Sequence, residues 1–336
     1  MTFNFDGCCG EGYFIDCRGI HLFDDRKIPV INIVVDHPFY YHKFLPFLPK
    51  DYCQISIDRE HEAYLQYYFP EIKRGLFLPL AGTSLWEDDT LPKWEERPYD
   101  VVFTGNYTPL SKFEPTIERH GKEYADFYYG IIEDFKKHPH LGMDIGIREH
   151  LLSEVEDITE DGVKEMMPNM IMIDLYVRNY FRGKVVQTLV DAGVSVHCFG
   201  AGWEFLPCEH PENLIKEGGV DSLACLQALS KAKVSLNVMP WFKDGAHDRV
   251  FNSMLNGAVC FTDWSRYLTE NLRDGEDIFF YELDALECLP DMVQGILENR
   301  KKWEHMQKAA YETAEKSHTW EHRAGAVHKE ILSKIR

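Results

Sequence analysis

The chain has 336 residues, of which 45% are hydrophobic and 13% aromatic, so it is long enough for two domains and is not of the disordered class. The formal net charge of −19 argues against nucleic acid as the main partner, because phosphate backbones bind through Lys and Arg. No apolar run reaches membrane-spanning length, and the short basic runs at 136–138 and 300–302 indicate at most a weak peripheral membrane contact.

The N-terminus and the cysteines predict a cytoplasmic protein. The first residues lack a basic segment followed by an apolar one, so a secretory signal is not expected. The nine cysteines include no Cys-x-x-Cys pair, and several lie inside strand-like runs. Buried free thiols in a reducing compartment explain this pattern better than disulfides or zinc.

The first eighty residues contain four strand-like runs, at 2–5, 30–35, 54–57 and 76–78. The second run is apolar at nearly every position, which is typical of a strand buried on both faces of a parallel sheet. A helix-like pattern at 59–69 separates the third run from the fourth. We therefore predict a first domain at residues 1–97, with the polar stretch 81–98 as the linker that follows it.

A second series of strands and helices begins at residue 99. Strands are predicted at 99–103, 194–199, 234–238, 259–262 and 278–281, and helices at 170–189, 222–231, 248–255 and 286–336. A charged helical insertion is expected at 111–167. Strands separated by helices predict parallel sheets with right-handed crossovers. The fold class is therefore α/β, with two Rossmann-like domains facing each other across a cleft. The second domain is predicted at 98–315, and the helix at 316–336 is predicted to pack back on the first.

The segment Gly-Ala-His-Asp-Arg-Val-Phe-Asn-Ser-Met-Leu-Asn-Gly at 245–257 is the most informative part of the sequence. Asp248 is a plausible N-cap, and Arg249, Asn252 and Ser253 share one polar helix face. Arginine in a first helical turn is disfavoured by the helix dipole by ~0.3–1 kcal/mol. A bound anion would offset that penalty, since free N–H groups and a guanidinium both favour phosphate. A solvated polar face with an indifferent arginine explains this helix alone about equally well.

An ordered series of motifs resembles the bacterial glycosyltransferases related to the spore-maturation protein CgeB, a branch of the GT-B superfamily. The motifs are Val-Phe-Thr-Gly-Asn at 102–106, Cys-Phe-Gly-Ala-Gly-Trp at 198–203, Val-Ser-Leu-Asn-Val at 234–238, the run 248–263, the run 272–281 and His-Thr-Trp-Glu-His-Arg at 318–323. The first domain resembles the family more loosely, at 3–7, 34–38 and 78–81. Family members have further strands before the position of Phe3, so we expect a shortened first domain or a chain that begins partway through one.

The resemblance implies a donor site at the carboxyl ends of the strands. It places Gly105 and Asn106 beside the donor diphosphate, with Gly200 and Gly202 lining the same crevice. Arg249, together with Arg178 or Arg182, would neutralise the leaving diphosphate, and His247 would lie near the sugar or phosphate. The remaining positions that it assigns to the donor nucleotide are Asp248, Asn252 and Ser253.

Asn252 departs from the family pattern, because many relatives carry a glutamate there that binds the nucleotide ribose. Asparagine can still hydrogen-bond hydroxyl groups, but it brings no charge. The substitution leaves open both the activity and the donor identity.

Asp36 and His37 follow a buried strand, a normal place for a catalytic group. Transfer with inversion would need one of them as a base, whereas transfer with retention could pass the proton to the donor phosphate. Asp36 is equally explained as a turn residue before Pro38, and His37 as a structural residue. No Asp-x-Asp motif accompanies the other motifs, so we expect neither a metal nor another cofactor.

The sequence thus predicts a glycosyltransferase that moves a sugar from a nucleoside-diphosphate sugar to a glycan or protein acceptor. A non-catalytic nucleotide-sugar-binding or scaffold subunit on the same fold is the main alternative, and a nucleotide-sugar epimerase is another. The sequence does not decide the donor base, the sugar, the stereochemistry or the oligomeric state.

Overall fold

The computed structural model describes residues 2–3, 15–16, 19–86 and 90–335. The motif residues at 4–7 and three of the cysteines, Cys8, Cys9 and Cys17, lie outside the described residues.

The first domain is built on a parallel sheet of four strands in the order β1-β2-β3-β4. The strands are β1 (Thr2–Phe3), β2 (Val30–Val34), β3 (Tyr52–Ser56) and β4 (Lys73–Phe77), and they are accompanied by the helices α1 (Leu22–Asp25) and α2 (Arg59–Tyr68). The predicted fourth strand covered only the apolar end of β4. Its first two residues, Lys73 and Arg74, are exposed at the sheet edge and carry no apolar signal.

The second domain is built on a parallel sheet of six strands in the order β10-β9-β8-β5-β6-β7. These strands are β5 (Tyr99–Thr104), β6 (Val196–Phe199), β7 (Leu214–Gly218), β8 (Ala232–Asn237), β9 (Val259–Asp263) and β10 (Phe279–Tyr281). Counted from β5, this is the 3-2-1-4-5-6 order of the dinucleotide-binding fold, which reverses direction between β5 and β8. Ligands of open α/β sheets bind at that switch point, beyond the carboxyl ends of the strands.

The helical insertion consists of four helices: α3 (Glu114–Glu118), α4 (Lys122–Lys137), α5 (Met143–Glu154) and α6 (Glu160–Met166). It leads into α7 (Ile171–Asp191), the long helix predicted at 170–189. Strand β7 was not predicted, because most of its residues are exposed and polar at the sheet edge. The later helices are α8 (Ser222–Ser230), α9 (Asp248–Leu255), α10 (Arg266–Asn271), α11 (Leu289–Leu297), α12 (Arg300–Ser317) and α13 (Trp320–Ile335).

Helix α13 crosses back to the first domain. Val327 packs in one apolar cluster with Ile33, Ile55 and Leu78 of the first sheet. The Arg323 guanidinium donates hydrogen bonds to the backbone carbonyls of Pro79 and Leu80. The two sheets therefore face each other across a cleft, which confirms the predicted fold class. The exact domain limits stay predictions.

Two polar contacts close one side of the cleft. The Asp58 carboxylate, at the start of α2, accepts the backbone N–H of Asp244 at 3.1 Å. Arg59 forms an ion pair with Asp244 at 2.7 Å. In the part of the chain that the structure covers, no helix is both long and apolar enough to cross a membrane.

Candidate functional site

A cavity of about 380 Å³ lies in the cleft between the two domains. The first domain contributes the residues that follow β2, and the second contributes the loop after β8 together with side chains of α7 and the start of α9. The cavity thus lies at the carboxyl ends of strands of both sheets, next to the switch point of the second. Six of the predicted site residues line it: Asp36, His37, Arg178, Arg182, His247 and Asp248.

Arg249 is held against the second sheet in a fixed direction. Its Nη1 atom donates to Oδ1 of Asn237 at 3.1 Å, and its guanidinium lies 5.4 Å from the ring centre of Phe103. A Cβ atom at Gly105 would lie 3.7 Å from Nη2 of Arg249, so this arginine reaches the turn after β5. The structure therefore brings the arginine of α9 to the switch point.

Asn237 is a site residue that the sequence did not reveal. It is the last residue of β8 and is completely buried. Its Nδ2 atom donates to Oγ1 of Thr262 on β9 at 2.8 Å, and this bond leaves Oδ1 turned toward Arg249. A single asparagine at the end of an apolar strand gives no signal of such a role.

Arg182 has hydrogen-bonding capacity that the described residues do not use. Its Nη1 atom donates to the carbonyl of Asn106 at 3.1 Å, but its buried Nε has no partner among these residues. Burial and the positive charges of Arg249 and Arg178 lower the pKa of Arg182 to about 9, so it stays charged at neutral pH. An unsatisfied buried guanidinium donor beside other cations favours an anionic ligand.

Arg178 is paired, in contrast, with a buried carboxylate. Its Nη2 atom lies 2.8 Å from Oδ2 of Asp174, one turn earlier on α7. The hydroxyl of Tyr40, in the first domain, also donates to that carboxylate. Burial and the charge of Asp174 raise the pKa of Tyr40, so the phenol keeps its proton. This triad links the two domains at the cavity.

His247 and Asp248 form the start of α9. Nδ1 of His247 lies 2.6 Å from Oδ1 of Asp248, and Nε2 lies 3.3 Å from Nη2 of Arg249. A neutral ring with its proton on Nδ1 satisfies both contacts, and burial and Arg249 lower the pKa of His247. Burial would raise the pKa of Asp248, but His247 and Arg249 outweigh it and lower the pKa to about 2.

The predicted glycines support the turn after β5 rather than contact a ligand directly. A Cβ atom at Gly200 would lie 2.1 Å from the carbonyl oxygen of Gly105, and one at Gly202 would lie 1.9 Å from that of Tyr107. Asn106 accepts the N–H of Ala201 at 2.9 Å through its side chain. Gly200 and Gly202 are needed for close packing of two loops, which corrects their prediction as lining residues.

Two further predictions on α9 need correction. Ser253 is completely buried and its hydroxyl donates to Ser235 and to the carbonyl of Arg249, so it cannot reach a nucleotide. Asn252 does not line the cavity: its Oδ1 accepts the backbone N–H of Thr83 in the linker at 2.8 Å. Its Nδ2 donates to Asp248 at 3.1 Å, so the side chain stabilises the junction between linker and helix.

Asp36 and His37 both lie at the cavity, but only Asp36 can act as a base. Nδ1 of His37 accepts the backbone N–H of Phe39 at 3.1 Å, so the neutral ring carries its proton on Nε2. Burial lowers the pKa of His37 well below its ordinary value, and a neutral ring of this tautomer has no free lone pair. His37 is therefore a hydrogen-bond donor, which corrects its prediction as a base. Asp36 is exposed and accepts from the Tyr41 hydroxyl at 3.3 Å.

A group of possible metal ligands lies apart from this cavity. His140, Glu282 and Asp284 are all exposed, and their ligand atoms lie within 4.8 Å of one another. The Trp264 indole N–H donates to Nδ1 of His140 at 3.0 Å, so the other nitrogen, which faces the carboxylates, carries the proton of the neutral ring. A metal at that nitrogen would require the opposite tautomer and would break the Trp264 bond.

Comparison with known proteins gives one family match. Residues 182–329 match the family model described as glycosyl transferase-like, and this range includes β8, α9 and the end of α7. No protein among those with curated functions matches the chain.

Solved structures show the fold over nearly the whole chain. Anabaena HepE, solved in complex with UDP-glucose, is 8% identical and superposes with a TM-score of 0.53 over 91% of this chain and 73% of its own. S. aureus TarM, solved with UDP, has 11% identity and a TM-score of 0.49 over 90% of this chain and 54% of its own. The glucosyltransferase of phage T4, solved with UDP-glucose, has 14% identity and a TM-score of 0.48 over 90% and 72%.

The fold is GT-B, and most of the second domain matches the glycosyl transferase-like family. The chain spans only about half the length of some of the proteins it superposes on, 54% in the case of TarM.

Proposed function

We propose that this chain is a glycosyltransferase that moves a sugar from a nucleoside-diphosphate sugar to an acceptor hydroxyl in the cleft. The GT-B fold and the family match over residues 182–329 support this activity. The complex of HepE with UDP-glucose supports a nucleotide sugar as the donor.

The observation that carries the proposal is the set of arginines at the switch point. Arg182 and Arg249 reach the turn after β5 from two different helices, and Arg182 has a buried donor without a partner among the described residues. Arg178 adds a third guanidinium, although Asp174 balances its charge. A leaving diphosphate needs its negative charge stabilised, and such electrostatic stabilisation is usually the largest catalytic contribution.

The reaction requires one bond to form and one to break at the anomeric carbon. The acceptor oxygen bonds to that carbon, the bond from the carbon to the phosphate oxygen breaks, and the diphosphate leaves with the electron pair. If the configuration is inverted, Asp36 takes the hydroxyl proton. If it is retained, an oxygen of the donor phosphate takes it.

A second function, nucleotide-sugar binding without turnover, is favoured by one observation. Asn252, the position where many relatives have a ribose-binding glutamate, is bonded to the linker through Thr83. A subunit of this kind would keep the arginines and bind the donor, but it would release no nucleotide.

The purified full chain, incubated with UDP-, GDP- and dTDP-sugars, separates these functions. Release of a nucleoside diphosphate, slow without acceptor and faster with acceptor extracts, supports the transferase. Binding without release supports the non-catalytic subunit, and conversion of the sugar without release supports an epimerase. If no nucleotide or nucleotide sugar binds, the proposal is wrong.

Three finer points belong to the same proposal. The order of the motifs at 102–106, 198–203, 234–238 and 318–323 supports the CgeB-like branch. The cytoplasmic location stays a prediction from the sequence. Independence from metal also stays a prediction, and it requires turnover to be unchanged when EDTA is added.

A further inference from the structure

The first-domain half of the cavity has a wall of stacked rings. The ring centres of His37 and His61 are 4.7 Å apart, and those of His61 and Phe242 are 6.3 Å apart. Phe242 lies 5.6 Å from His247, so the rings continue from Asp36 to the start of α9. All of these rings line the cavity.

Trp320 adds an exposed indole to the same cavity. It is the first residue of α13 and is 37% exposed, although tryptophan is one of the residues most often covered. Its backbone is fixed to the first domain, because the N–H of Gly82 donates to the carbonyl of His318 at 2.9 Å. Arg323, on the same helix, donates to the carbonyl of Pro79 at 2.7 Å. The indole is therefore presented to the cavity from a rigid position.

The charges of the cavity are divided between its two halves. Both arginines that line it, Arg178 and Arg182, come from the second domain. The lining residues of the first domain and of α13 include no Lys or Arg, and their one carboxylate is Asp36. His37 and His61 are neutral, because burial lowers the pKa of both rings. An acceptor with a phosphate or carboxylate group would meet Asp36 there without a compensating cation.

We propose that the acceptor is an uncharged saccharide whose ring stacks on Trp320 and whose reacting hydroxyl lies at Asp36. The inference rests on the proposed function and names its second substrate. A sugar ring presents an apolar face of C–H groups to an aromatic surface and hydroxyl groups at its edge. The His37 Nε2–H and the Asp36 carboxylate provide one donor and one acceptor for those hydroxyls.

The test is saturation-transfer NMR on the full chain saturated with UDP, GDP or dTDP, whichever binds. The probes are methyl glycosides of glucose, galactose, mannose, rhamnose and N-acetylglucosamine, and for comparison glucose 6-phosphate, glucuronic acid and a Ser/Thr-containing peptide. At least one neutral glycoside is expected to bind, with at least tenfold higher affinity than any charged sugar or the peptide.

Variants of Trp320 connect that binding to the indole. Trp320→Ala is expected to weaken the neutral glycoside at least tenfold and Trp320→Phe only slightly, with nucleotide affinity unchanged in both. The matched control is Phe205→Ala, which removes an aromatic side chain that is 56% exposed and lies outside the cavity.

The inference is overturned if a charged sugar or the peptide binds best, if no neutral glycoside binds, or if Trp320→Ala binds the glycoside as well as the unmodified chain does. Failure of the proposed function gives a different result, because the unmodified chain would then bind no nucleotide before any sugar is added.

Discussion

The two halves of the cleft are built on similar parallel sheets but differ in charge. The second-domain half gathers Arg178, Arg182 and Arg249 around the turn after β5. The first-domain half offers the neutral rings of His37 and His61 and the single carboxylate of Asp36. The difference indicates a division of tasks, with charge stabilisation of the leaving group on one side and placement of a neutral hydroxyl on the other. Variants of the two halves should therefore change different kinetic constants.

The largest effect is expected for Asp36→Asn. Loss of a general base lowers kcat by about 10²–10⁴-fold, while the affinity for the donor should not change because the arginines are untouched. Steady-state kinetics with one donor and acceptor measure both constants. Asp51→Asn, which removes an exposed carboxylate of the same domain paired with Lys73, is the control. An unchanged kcat would assign the proton to the donor phosphate.

The next effect tests the cationic half. Arg249→Ala removes charge-assisted hydrogen bonds and should raise the Kd of the nucleoside diphosphate by about 10- to 100-fold. The helix should remain folded, since its buried apolar residues Val250, Phe251 and Met254 are kept. Calorimetry gives the Kd, and circular dichroism checks the fold. Arg273→Ala, at an exposed arginine, is the control, and equal affinities of Arg249→Ala and the unmodified chain would remove α9 from the site.

A pH experiment tests whether the first-domain half is uncharged. Burial lowers the pKa of His61 to about 3, and the residue is only 3% exposed. The unfolded chain binds a proton at this residue near the ordinary histidine pKa, so the folded chain loses stability as the pH falls below about 6.5. Between pH 6.5 and 5.0 this loss amounts to about 2 kcal/mol. His61→Asn cannot show it.

The unfolding free energies of the unmodified chain and His61→Asn, measured in urea at pH 7.5 and 5.0, provide the comparison. The stability of the unmodified chain relative to the variant should fall by about 2 kcal/mol between the two pH values. His210→Asn, at an exposed position, should show no such change. A constant difference for His61→Asn would mean that the His61 ring accepts a proton in the folded protein.

The smallest effect concerns the support of Arg249. Asn237→Ala removes one hydrogen bond that orients the guanidinium and should raise the nucleotide Kd by about 2- to 10-fold. If Asn237 acts through Arg249, the same change made in Arg249→Ala should have no additional effect on the Kd. Additive losses would instead indicate a general effect on the fold, which the thermal midpoint of each variant would report.

The sequence predicted the second domain well, because its strands are buried, apolar and separated by helices, and its motifs stand at strand ends. Edge strands escaped prediction, as β7 shows, since exposed polar residues give no apolar pattern. The positions of Arg178, Arg182 and His247 at the cavity agree with the sequence prediction, although their roles stay predictions.

The rest of the site depends on contacts between distant segments. Asn237, His61 and Trp320 lie far apart in the sequence and meet only because two sheets and the last helix converge. Ser253 shares a helix face with Arg249, yet neighbouring strand and helix residues bury it completely. A helical pattern gives the direction of a side chain but not what packs against it.

The most direct test of the central claim is a crystal structure of the chain soaked with UDP, GDP or dTDP. We expect the diphosphate at the switch point, in contact with Nε of Arg182 and the guanidinium of Arg249. A diphosphate bound outside the cleft, or bound in it without contact to either arginine, would contradict the account.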